Sequence, residues 1–151
     1  MTPSEKASDF FHFYFKRLKS EPYLKINFVF AGVILIVIAY SGIFSPDKNN
    51  YPVVCIHEKV TGFPCFSCGL SHSFSLIVRG RISEAFQWNI YGMRVFLFFV
   101  LQLVMRIFFS VCFLKNENSR NWLIRYDIAG TIILFAIAFY PFFRQLVLSL
   151  F

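Results

Sequence analysis

The chain has 151 residues, 57% hydrophobic and only 15% charged, with a mean hydropathy of +0.59. A water-soluble domain carries about a quarter charged residues, and a soluble core this small cannot hide 22 Phe, so composition excludes a soluble globular domain and makes the bilayer the solvent. The formal charge of +7 does not signal nucleic acid, because the basic residues sit at the ends of apolar runs and form no stripe; they mark membrane topology and attraction to anionic lipid.

In chain order, residues 1–25 are polar, basic and aromatic, with Lys6, Lys16, Arg17, Lys19 and Lys25 against Glu5, Asp9 and Glu21. The short run from Phe10 to Phe15 suits an interfacial helix, with a partner-docking patch as the alternative. This N-terminal segment is expected to be cytoplasmic, and residues 26–151 form a single membrane domain. Ile26 to Phe44 is uncharged and rich in Ile, Val and Phe, close to the roughly 20 apolar residues a spanning helix needs. Pro46 and the polar residues after it end this first span.

Residues 45–94 read as a Cys-bearing loop followed by short helices. Leu70, Phe74, Ile77 and Val78 fall at helical spacing, with Ser67 as a candidate cap. Gly80 interrupts the pattern between Arg79 and Arg81, and Ala85, Phe86 and Asn89 suggest a second short amphipathic piece. Two in-plane helices on the bilayer surface are the favoured reading. A re-entrant hairpin is the alternative and would have to keep Arg79 and Arg81 near water.

Val95 to Leu114 is the second span, interrupted by Gln102 and Arg106. Lys115 to Arg125 reads as a polar turn with Trp122 as an interfacial anchor. The third span runs over about residues 126–148. The expected fold is therefore an all-α integral membrane protein with three transmembrane helices.

Lys and Arg number eight in the N-terminal segment and the turn after the second span, against five in the Cys-bearing segment. By the positive-inside rule this places the N-terminus in the cytoplasm and the Cys loop outside it. A bacterial cytoplasmic membrane is the expected location.

Chemistry concentrates in one place. Cys55, Cys65 and Cys68 share the loop, with His57 two residues after Cys55 and His72 four after Cys68. Three uses fit. A disulfide among Cys65, Cys68 and Cys55 would staple the loop in an oxidising compartment. A zinc ion would draw on Cys65 and Cys68, completed by Cys55 with His57 or His72, although the second Cys-x-x-Cys of a zinc ribbon is missing. Thiol exchange would use Cys65 as attacking thiolate and Cys68 as resolving thiol, without the βαβ context such a motif usually has. Cys112, among apolar neighbours, reads as a buried inert thiol.

Arg106 is costly inside a span unless it reaches the headgroups or finds a partner. Snorkelling to the cytoplasmic surface is the favoured reading; Asp127, or an acidic residue of another subunit, is the alternative. No phosphate loop, His-Glu-x-x-His, Gly-x-Ser-x-Gly or carboxylate dyad is present. No catalytic residue and no cofactor is assigned beyond the zinc alternative.

The order Cys55, Thr61-Gly62-x-Pro64-Cys65-x-x-Cys68-Gly69-Leu70, Gly80, Ala85 and Asn89 resembles the small bacterial multi-pass membrane proteins grouped as domain of unknown function twenty-seven fifty-two. Their usual signature runs Pro-Cys-Pro-x-Cys-Gly-Leu-Thr-Arg-Ala. This chain has Phe66 at the second Pro and Ser71-His72-Ser73 at Thr-Arg-Ala. His72 in place of that Arg favours a metal site in this member. The resemblance implies the fold and no chemistry. The function expected is a non-enzymatic accessory or structural subunit of a membrane complex, with lipid around it and a protein partner or a second copy beside it. A redox or metal-handling membrane protein is the alternative.

Overall fold

The computed structural model describes residue 17 and residues 20–45, 68–115 and 120–150, except for the side chains at 145, 146 and 148–150. Cys55, His57 and Cys65, the N-terminal aromatic run and Ser67 lie outside the described residues. Among those described there are five helices and no strand: α1 Pro22–Ile43, α2 Leu70–Val78, α3 Ile82–Trp88, α4 Gly92–Lys115 and α5 Arg120–Leu150.

Helices α1, α4 and α5 are each long and apolar enough to cross a membrane, over Pro22–Ile43, Gly92–Lys115 and Arg120–Arg144. They begin earlier than hydropathy alone places them. Pro22 enters at the first helical position, where its missing N–H costs nothing. Arg120 opens α5 by pairing with Glu21 at 3.0 Å and lying over the Phe113 ring, so part of the expected polar turn is the first turn of a helix.

Helix α4 is central, packed on α1 along one side and α5 along the other. The α4–α5 seam is aromatic: Phe98 meets Phe139 edge-on at 5.3 Å, an arrangement favoured by the ring quadrupoles. Gly130 lets the two helices approach, since a Cβ there would stand 2.9 Å from the Met105 methyl. The outward faces carry exposed Phe28, Ile36, Phe108 and Ile132. In water that surface would aggregate; in hydrocarbon it is the solvated face.

The two short helices close one end of this bundle, where α1 ends and α4 begins. Helix α2 differs from an amphipathic helix resting on a surface, which buries one face. Ser73, Phe74, Ser75, Leu76 and Ile77 are all buried, because α1, α3 and α4 contact α2 from different sides.

Candidate functional site

Two clusters of polar groups stand out, one at the bundle end that carries Cys68 and one inside the bundle. The first is built on backbone geometry. Gly69 takes the capping position of α2 in the left-handed region, at φ +78°, and its carbonyl accepts from the Ser73 N–H at 2.8 Å. A Cβ on Gly69 would stand 2.6 Å from the Trp88 carbonyl oxygen. Glycine is therefore required twice, by torsion and by space.

The far end of α2 is closed by a second left-handed glycine, Gly80 at φ +76°. Its N–H donates to the Ile77 carbonyl at 2.9 Å and the Arg81 N–H donates to that of Leu76 at 2.9 Å. This is the double bond pattern of a Schellman cap. The chain then reverses into α3, whose Ala85 is buried against Leu76 and Ile77. Arg81 pairs with Glu84 at 2.5 Å on the exposed side. The Arg81 hydrogen bond holds the Glu84 carboxyl below its usual range, though a pair this exposed contributes little to stability.

Asn89 ties the two ends of this unit together. Its amide donates to the Cys68 carbonyl at 2.9 Å, and its side-chain oxygen accepts from the Tyr91 N–H at 2.9 Å. Its own carbonyl accepts from the Gly92 N–H at 3.1 Å, so the residue bonded to the start of α4 also holds Cys68. Gly92 lies against Ser73 so closely that a Cβ would overlap the Ser73 hydroxyl. The His72 ring stacks flat on Trp88, 4.1 Å between centroids and 6° between planes.

Arg79 does work that its position in the sequence did not suggest. Helix α1 ends without a basic residue in its last turn, leaving C-terminal carbonyls that need donors. The Arg79 guanidinium supplies them, donating to Gly42 O at 2.9 Å and Ser41 O at 3.2 Å, and also to Ser75 O at 2.9 Å. The Ser75 hydroxyl accepts from Arg79 and donates to Phe44 O at 2.5 Å. A planar fork of donors suits several carbonyls at once, which a lysine ammonium does not match. We expect Arg79→Ala to lower stability by about 1.5–3 kcal/mol, the usual worth of hydrogen bonds to a charged group. Arg79→Lys should recover part of it; the check is a thermal melt in detergent followed by circular dichroism.

The second cluster joins the three long helices. Arg106 of α4 donates to Asn27 Oδ1 of α1 at 2.7 Å and to Asp127 Oδ2 of α5 at 3.0 Å. Its other terminal nitrogen reaches Asp127 Oδ1 and the Thr131 hydroxyl. Tyr23 of α1 donates its hydroxyl to Asp127 Oδ2 at 2.7 Å. Arg106 is 8% exposed, Asp127 and Asn27 1% each. Arg106 therefore turns inward, where the snorkelling reading had it turn out, because a carboxylate one helix away offers a bidentate partner. Tyr23, Asn27 and Thr131 were not singled out from the sequence. The available signal was spacing: Tyr23 and Asn27, like Asp127 and Thr131, are four apart and share a helix face.

Of the five candidate metal or disulfide residues, only Cys68 and His72 fall among those described. Among the described residues no three His, Cys, Asp or Glu side chains converge on one point. Cys112 is half-buried, not enclosed.

Three spanning-length helices joined by a buried ion pair, with two short helices across one end, define a small polytopic α-helical membrane protein. Residues 55–103 match the family described as Protein of unknown function (DUF2752), the family that the sequence resembles, and the match runs on into α4. No curated protein and no solved structure matches the chain.

Proposed function

We propose that this chain is a non-enzymatic accessory or structural subunit of a complex in the bacterial cytoplasmic membrane, and that its Cys-bearing segment is a docking element. The observation that carries this reading is what the described motif residues do. Gly69, Gly80, Ala85 and Asn89 each set a backbone position or a close contact, and together they present the Cys68 end of the segment on a rigid support. A signature spent on holding a segment in place is the mark of a surface to be recognised. The Lys/Arg bias supports an N-terminus in the cytoplasm and the Cys segment outside, where a Cys55, Cys65 or Cys68 disulfide would complete the support.

A second reading, metal or thiol chemistry at Cys65 and Cys68 with Cys55, His57 or His72, is favoured by the position of Cys68 and His72 on either side of the α2 start. One experiment separates them. Protein purified without reductant is alkylated before and after denaturation with a chelator, then weighed intact. The staple predicts two thiols that stay unmodified throughout, and loss of protein abundance in Cys65→Ser and Cys68→Ser. Four thiols that react only once chelated and unfolded would transfer the assignment to zinc. Normal abundance and unchanged partner recovery in both Ser variants would defeat the docking role.

A further inference from the structure

A groove of about 390 Å³ runs between α4 and α5 beneath α3. Its α4 wall is Arg94, Leu97 and Leu101, spaced three and four apart so that they form one stripe. Across from them stand Leu134 and Ile137 of α5, with Phe86 of α3 at the top. Arg94 is exposed, lies in the first turn of α4, and makes no hydrogen bond or ion pair with a described residue. It stands at the level where Tyr91 rests on Phe142, 5.4 Å between rings. Arg144 is exposed two residues beyond Phe142, so a cation of α4 and a cation of α5 flank the Tyr91–Phe142 contact, as basic residues do at a headgroup plane. From there the groove descends roughly 10 Å to Leu101, at 1.5 Å of rise per residue, and below Arg94 it is lined by apolar side chains.

We infer that this groove is a binding site for one anionic glycerophospholipid, its phosphate on Arg94 and an acyl chain along Leu97 and Leu101. A guanidinium matches a phosphate in charge and in fork geometry, and a stripe leading from it into hydrocarbon matches a chain. A partner helix laid in the same groove would instead bury Arg94 against apolar side chains, at a cost of several kcal/mol. The inference rests on the three helices spanning a membrane and is independent of the docking role. Extraction of membranes at alkaline pH tests the spanning reading separately: a chain that washes out of the pellet defeats that reading.

The test is native mass spectrometry of the full chain, delipidated in detergent and titrated with phosphatidylglycerol or phosphatidylcholine of identical acyl chains. The wild type should hold phosphatidylglycerol about fivefold more tightly, the equivalent of the roughly 1 kcal/mol one basic residue contributes near an anionic surface. Arg94→Gln, an exposed change that leaves the fold intact, should erase that preference. Leu97→Trp, which fills the groove, should weaken binding of both lipids. The site is overturned if Arg94→Gln keeps the preference, or if inorganic phosphate displaces phosphatidylglycerol at equal concentration, which would leave an anion site without a chain. A dimer that Leu97→Trp dissociates would assign the groove to a second copy and overturn it equally.

Discussion

Asp127→Ala should destabilise the protein by about 3–5 kcal/mol, the usual consequence of removing one member of a buried ion pair. Asp127 is 1% exposed and receives hydrogen bonds from Arg106 and Tyr23. Its loss strands a guanidinium that is itself 8% exposed, in a medium with no water to receive it. The measurement is thermal or denaturant unfolding in detergent, with protein abundance in the membrane as a second readout. Replacing both members, Arg106→Met with Asp127→Leu, should recover part of the loss, because no unpaired charge stays buried, while Tyr23, Asn27 and Thr131 lose their partners in the pair. If Asp127→Ala costs less than about 1 kcal/mol, Arg106 can reach the headgroups after all and the cluster does not hold the helices together. If the double variant is stable yet no longer recovers its partners from the membrane, the cluster serves assembly as well as folding.

Gly69→Ala should be clearly more damaging than Gly80→Ala, the other left-handed glycine at the bundle end. An L side chain in the left-handed region costs about 1–2 kcal/mol, and the new Cβ would meet the Trp88 carbonyl at 2.6 Å. That oxygen is backbone, one residue before Asn89, which is held to both Cys68 and the start of α4. It cannot swing aside as a side-chain tip can, so a further penalty of about 1–3 kcal/mol from overpacking is expected. Gly80→Ala provides the internal comparison. Gly80 has nearly the same φ, +76°, but nothing within 4 Å of an added Cβ, and should show the torsional cost alone. Melting temperatures of the two variants in one detergent decide the matter: Gly69→Ala must fall below Gly80→Ala, and equal or reversed values would contradict the contact with Trp88.

The Arg106 cluster lies inside the bundle and the Gly69 contact at one end of it, so a chain with little charge places a few polar residues where the packing demands them. The outward faces of the three long helices are apolar, and in hydrocarbon packing alone drives association of such helices weakly. The Arg106 cluster gives α1, α4 and α5 a contact that needs all three present. The Arg79 fork and the Asn89 bridge do the same for α1, α2 and α4 at the bundle end.

The amino-acid sequence by itself determined the class and the three spans, because apolar length is a local property and the bilayer thickness sets its threshold. It also marked the motif from Cys55 to Asn89 and singled out Arg106 as a residue in need of an explanation. Helix ends were less legible: hydropathy is blind to Pro22, Gly92 and Arg120 as helix starters, since their contribution is conformational or comes from a partner far along the chain. Only the tertiary structure decided where Arg79 and Arg106 point. Each is a cation with several reachable acceptors in its own neighbourhood, and the choice falls to whichever carbonyls or carboxylate the folded neighbours bring within bonding distance. It likewise decided that α2 is buried from several sides and that Gly69 and Gly92 are points of contact, because close approach between segments is a property of the packed chain and leaves no periodic trace in any one of them.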